Sequence, residues 1–338
     1  MAAPKKLGQQ TVMFKNPPVI AATATIVGPK EGEGPLAQTF DKIVEDPYYA
    51  EKSWEKAERR MLEEVMQTAL KKAALAPTSI DYLLAGDLLN QIISAGFTAR
   101  SLGIPFIGLY GACATMYEGL ALGAILIDGG FADYVLVGAS SHYSTAERQY
   151  RFPTEQGVQR PPTAQWTVTG AGAALLARTG AGPVITHATI GKVLDLGQGD
   201  PSDFGSAMAP AAADTIVRHL QDTVRGPQDF DLFLTGDLGL YGKGLAEQLV
   251  RERGFDIGNK FADCGTMIYD HHRQDTHAGG SGCACAAVVT GGYLMQQMLT
   301  GKIKRVLGVA TGALLSPLTT KQGETIPVIA HAVAIEMR

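Results

Sequence analysis

The pattern of apolar positions changes period several times along the chain, and each change marks an element. In "EKAERRMLEEVMQTALKKAAL" the residues Met61, Val65 and Ala69, with Leu62, Met66 and Leu70, recur at helical spacing and predict an amphipathic helix that "APTS" ends. "IDYLLAG" then reads as a short buried strand. After Cys113, "MYEGLALGAILIDGG" is apolar almost all round, interrupted chiefly by Glu118 and closed by Gly129 and Gly130. A helix of that character must be buried, and two sheets are the natural cover. "YVLVGAS" and "TVTGAGAALLAR" predict further strands, separated by a polar stretch, "SHYSTAERQYRFPTEQGVQRPPTAQW", that reads as a long loop. "LGQGDPSDFGSAMAPAAADTI" reads as a loop leading into a helix, and "GVATGALLSPLTTKQGETIPVIAH" as a strand, a Pro-bearing excursion and an antiparallel return.

These elements repeat. "DYLLAGDLLNQ" around Gly86 is echoed by "DLFLTGDLGLYG" around Gly236, an offset of 236 − 86 = 150, and Tyr134 in "DYVLVGAS" matches Arg305 in "KRVLGVATG" at 305 − 134 = 171. Two related halves follow, residues 1–180 and 181–338, each running helix, strand, connection, small-residue turn, apolar helix, strand. That order predicts α/β layering.

Composition narrows the function. The chain of 338 residues is 46% hydrophobic and 18% charged, with 29 Lys and Arg against 33 Asp and Glu. A net charge of −4 without a basic block argues against nucleic acid. "MAAPKKLGQQTVMF" has no apolar core of a signal peptide, and no later run offers the roughly 18 uninterrupted apolar residues of a transmembrane segment. Four cysteines, including a lone C-x-C at Cys283 and Cys285, fit free thiols in a reducing compartment better than disulfides or zinc. Adjacent His271 and His272 fit a solvated loop better than a metal site.

Cys113 sits among Gly111, Ala112 and Ala114 at the mouth of the apolar helix. A helix N-terminus favours a thiolate, so the position suits a nucleophile. It equally suits the floor of a pocket, or a small buried side chain without chemistry. Acyl transfer would also need a base or donor pair close to the sulfur.

"GACA", "YVLVGASS", "TGAGAALLA" and "AGGSGCAC" together resemble the thiolase and ketoacyl synthase superfamily. The resemblance runs from about residue 20 to 338 and implies an α/β, duplicated five-layer α-β-α-β-α fold. "GPKEGEGPL", "AGDLLNQ", "TAERQYRFPTE", "GSAMAPAAADTI" and "ATGALLSP" resemble more narrowly the stage V sporulation protein AD family of endospore-forming bacteria. That resemblance implies a non-spanning protein at the inner membrane of the forespore. There it would work with other stage V sporulation A proteins to take dipicolinic acid, as its calcium complex, into the spore. It implies no cofactor of its own.

By the superfamily pattern, one partner of the cysteine should fall at Gly236, Asp237 and Leu238, where Asp237 would oppose a thiolate, and the other at His277, whose spacing to the following Gly-Ser-Gly departs by about a residue. Three readings therefore stay open: a binding pocket containing Cys113, an acyltransferase with Cys113 as nucleophile, and a scaffold with a vestigial cavity. Dipicolinate, a flat ring with two carboxylates, needs an apolar slot and donors. Candidates are Arg148 and Arg151, which otherwise read as surface charges, and Ser140, Ser141 and His142 at a strand end. Ser206 and His331 are further candidates, His331 reading equally as a core histidine. Asp87 and Asp237 could face the cavity as a pseudo-twofold pair, with calcium wanting oxygen ligands, or each could cap the helix that follows it. "IPFIGLY" is an apolar run that would be a hazard as a free edge, so a homodimer across that edge is expected.

Overall fold

The first predicted helix forms as α1, Trp54–Lys72, and begins where Ser53 turns its side chain back to accept the Lys56 amide at 3.4 Å. The computed structural model describes residues 5–150 and 160–338. In the first half the main strands are β1 (Val19–Val27), β2 (Tyr82–Gly86), β3 (Phe106–Gly108), β4 (Tyr134–Ser141) and β5 (Gly170–Ala177), beside short ones such as Trp166–Thr167. The second half has β6 (Val184–Ile190), β7 (Leu232–Thr235), β8 (Phe261–Asp263), β9 (Arg305–Ala313) and β10 (Val328–Glu336).

Hydrogen bonding orders the first set β1-β5-β4-β2-β3 and the second β6-β10-β9-β7-β8. In both, the first two joins are antiparallel and the last two parallel. The sets meet where Val184 pairs with Val19. The repeat extends to single hydrogen bonds. Asp81 Oδ2 accepts the amides of Asp133 and Tyr134, and Asp231 Oδ2 accepts those of Lys304 and Arg305, which fixes where β4 and β9 start.

The other longer helices are α2 (Ile93–Leu102), α3 (Thr115–Asp128), α4 (Tyr143–Tyr150), α5 (Phe204–Thr223), α6 (Gly239–Glu252) and α7 (Cys283–Val289). α1 packs on β4 and β5, with α2 beside it; α5 packs on β9 and β10, with α6 beside it; α3 lies between, against β4 on one side and β9 and β10 on the other. The predicted burial of α3 follows from its residues. Met116, Tyr117, Leu120, Ala121, Ala124 and Ile127 are all buried, each larger side chain contributing roughly 1.5–3 kcal/mol. Gly119 lets the helix approach β4, since a Cβ there would stand 2.5 Å from Val137.

One expectation needs correction. Part of the polar stretch read as a loop is helix α4, which buries Thr145, Ala146 and Glu147. Its anchor is tertiary: Thr145 Oγ1 donates to Glu58 Oε2 on α1 at 2.8 Å. Among the described residues no helix is long and apolar enough to cross a membrane.

Candidate functional site

Strand ends and helix starts from both halves converge on the turn that carries Cys113. Gly111 and Ala112 lead into a short 3-10 turn, Ala112–Ala114, directly before α3. Ala112 adopts φ 49°, a left-handed value that costs a non-glycine residue about 1 kcal/mol or more. Several bonds hold it there: Thr115 Oγ1 accepts the Gly111 amide and donates to the Ala112 carbonyl at 2.7 Å, and Cys283 Sγ donates to the same carbonyl at 2.9 Å. β9 comes so close behind the turn that a Cβ on Gly312 would stand 2.1 Å from the Gly111 carbonyl. The turn is thus clamped by the second half.

Leu88, Ala112, Cys113, Ala146, Thr167, Phe204, Met208, Ser281, Gly282, Ala313 and Leu315 line a pocket of about 30 Å³. That is room for about one water. Most of this wall is apolar. Cys113 keeps part of its surface open to the pocket, while its sulfur is enclosed by protein. Asp237 lies beside its thiol, and the Asp237 carboxylate accepts from Thr311 Oγ1 at 2.8 Å and from the Gly282 amide at 3.2 Å. Burial first, then the Asp237 charge and the neighbouring Cys283, push the Cys113 thiol well above its ordinary range. Burial thus outweighs the helix N-terminus, which by itself would favour a thiolate. Burial pushes Asp237 itself up to about 7, against the pull of its hydrogen bonds.

The pseudo-twofold pair of aspartates is not alike in use. Asp87 accepts the amides of Leu89 and Ala95 at 2.9 and 2.8 Å and so organises the start of α2. Asp237 does not cap α6. That role belongs to Asp263, which takes the Leu238 and Gly239 amides and the Thr235 hydroxyl. Asp263 had no counterpart in the repeat that would have marked it. Thr311 had one, since 311 − 140 = 171 relates it to Ser140.

Of the other candidates, Ser141 lies against the pocket wall. Its hydroxyl donates to the Val168 carbonyl and accepts the Ala284 amide, and a Cβ on Gly282 would stand 2.8 Å from it. Gly282 itself adopts φ +101°, a value that suits glycine. Ser140 points instead to Glu58 Oε1 at 3.0 Å. His142 bonds the Pro47 carbonyl and the Ser144 amide, and burial lowers its pKa. Ser206 is half-buried on α5, between the pocket residues Phe204 and Met208. Arg148 pairs with Glu55 at 3.0 Å and lies over Trp54, while Arg151 is outside the described residues. His277 sits in a left-handed turn, pairs with Asp275 at 2.9 Å and does not line the pocket. His331 accepts the Gly191 amide within β10, and burial lowers it to about 4, so its ring is neutral. Among the described residues no group of three His, Cys, Asp or Glu side chains gathers as a metal site.

Comparison with solved structures agrees on the fold. The chain resembles 3-oxoacyl-[acyl-carrier-protein] synthase III from Aquifex aeolicus VF5 (14% identity, TM-score 0.58, covering 94% of this chain and 99% of that one). It likewise resembles OleA from Xanthomonas campestris (18% identity, TM-score 0.59, covering 95% and 97%). The architecture is therefore the thiolase-like ketoacyl synthase III fold. At the level of sequence, the chain is 50% identical over 332 residues to the stage V sporulation protein AD of Bacillus subtilis (strain 168), covering 98% of both chains. With the stage V sporulation protein AD model matching residues 8–336, the chain belongs to the SpoVAD family of sporulation proteins.

Proposed function

We propose that this sporulation protein is a non-enzymatic binding protein for dipicolinic acid in its uptake into the developing spore. It would act as the non-spanning member of an assembly with other stage V sporulation A proteins, peripheral to the inner membrane, and as a homodimer through the edge at β3. The observation that carries the reading is the buried Asp237 carboxyl beside the Cys113 thiol, fixed there by Thr311 Oγ1 and the Gly282 amide. A condensing enzyme needs a base or donor beside its thiol to form the thiolate and stabilise the acyl intermediate. Here an acceptor carboxylate takes that place and holds the proton on sulfur. His277, the candidate second partner, is engaged with Asp275. What remains is a protonated thiol at the floor of an apolar pocket, with Asp237 behind it.

The pocket of about 30 Å³ is closed to a pyridine ring as it stands. Entry requires side chains of this wall to move aside. Calcium would arrive with the ligand, held by the ligand's own carboxylates. The test is calorimetric titration of dipicolinate, with and without calcium, into Cys113→Ala and Ala112→Leu. Cys113→Ala should weaken binding by less than about tenfold, since one neutral hydrogen bond is lost. Ala112→Leu should remove the component bound in the pocket. A stable thioester on Cys113 with turnover after incubation with an acyl-CoA would overturn the binding-only reading.

A further inference from the structure

The motif "GPKEGEGPL" plays no part in the Cys113 pocket, yet it folds against three other segments to make a second concavity. Pro29, Lys30, Glu31 and Glu33 face Pro47, His142, Tyr143, Ser144, Trp166 and Thr169 across a cleft of about 380 Å³. The cleft shares structural walls with the pocket: α4 gives Tyr143 and Ser144 to the cleft and Ala146 to the pocket, and Trp166 and Thr167 divide in the same way. Glu31 is fully buried at its base. One carboxyl oxygen accepts the Thr169 amide at 3.0 Å and the Tyr269 hydroxyl, while the other, Oε2, has no partner. Burial pushes Glu31 up, toward the acid form that carries a proton to donate. Beside it the Lys30 ammonium lies 3.9 Å over Trp166, whose ring is stacked on Tyr143 at 3.6 Å. Among the described residues Lys30 has no carboxylate within salt-bridge distance and no hydrogen-bond acceptor. Its pKa is lowered, chiefly by burial. Glu33, on the rim, is exposed. Arg160, which also lies over Trp166, is neutralised by Asp275 at 2.9 Å.

An unpaired cation, an orphaned buried carboxyl oxygen and apolar walls from Pro29, Pro47 and the two rings are complementary to one ligand chemistry. We infer that this cleft binds a small organic carboxylate with an apolar body, its anionic group on Lys30 and a second oxygen on Glu31. On the function proposed above, the ligand is dipicolinate, and the cleft is an outer site separated from the Cys113 pocket by α4 and the Trp166–Thr167 strand.

The full chain contains Trp54 and Trp166 alone, so Trp54→Phe makes Trp166 the only indole reporter. Titration of that protein with pyridine-2,6-dicarboxylate, by fluorescence and calorimetry together, should give a saturable change in Trp166 emission. Lys30→Met, a change at a part-exposed side chain, should raise its midpoint at least about tenfold, as expected for a lost charge-assisted contact. Ala112→Leu should leave the emission change intact. An emission change indifferent to Lys30→Met, or no emission change beside heat that Ala112→Leu removes, overturns the cleft and leaves the pocket reading standing. Heat and emission both lost in Lys30→Met and both kept in Ala112→Leu support the cleft and overturn the pocket. Neither heat nor emission change from the unmutated background overturns both.

Discussion

Asp237 decides what Cys113 can do. A carboxylate beside the thiol stabilises the protonated sulfur, so replacing it with a side chain that holds no charge should lower the thiol toward its ordinary range. Asp237→Asn is therefore expected to speed alkylation of Cys113 by iodoacetamide near pH 8 severalfold over the wild-type chain, followed by mass spectrometry of the Cys113 peptide. Equal rates would show that burial alone protects the sulfur. The same residue gives a pH dependence. Asp237 is held up to about 7 and Glu58, buried against Asp87, up to about 8, so the folded state binds more protons than the unfolded state above pH 6.5. Stability should fall as pH rises from 6.5 to 8. The buried histidines, whose folded pKa values lie below 6.5, add nothing of that sign in this window. Thermal denaturation across this range checks it, with the slope reduced in Asp237→Asn. Cys113 and Asp237 could be picked from the sequence because small residues around one cysteine and a repeated Gly-Asp are local signals. Asp263 and Glu31 could not, because each is defined by which distant amides and hydroxyls reach it.

At the scale of elements, the edge strand β3 leaves Phe106 37% and Ile107 41% exposed beside the Cys113 turn. An apolar edge of this kind invites pairing with another copy. Ile107→Lys should convert the proposed dimer to monomer in sedimentation at micromolar concentration, whereas a wild-type chain that is already monomeric would refute the pairing. Strongly periodic elements were readable: α1 by its apolar face, α3 by its uniform apolarity, β4 and β9 by their matched starts. α4 was not, because its sequence is polar and its burial depends on Thr145 reaching Glu58. Propensity carries no trace of that contact.

Across the whole molecule, the two halves are joined by more than the Val184–Val19 pair. Tyr117 of α3 is buried between the sheets with its hydroxyl 2.9 Å from Thr290, and a Cβ on Gly308 of β9 would stand 2.3 Å from its ring. Gly308→Ala should therefore overpack the middle layer and cost about 1–3 kcal/mol in denaturant unfolding, more than Tyr117→Phe, which removes one hydrogen bond worth about 1 kcal/mol. The duplication itself was legible from two offsets, 150 and 171, because equivalent strand starts keep equivalent aspartates. How open each of the two cavities is was not legible, since that depends on how far facing walls close. The proposal is that the Cys113 pocket binds rather than reacts. It is tested most directly by calorimetric titration of dipicolinate into the wild-type chain, Cys113→Ala and Ala112→Leu. The account predicts saturable heat from the first two, with Cys113→Ala weaker by less than about tenfold, and loss of the pocket component in Ala112→Leu. Heat that Ala112→Leu leaves unchanged, or no saturable heat from the wild-type chain with or without calcium, would contradict it.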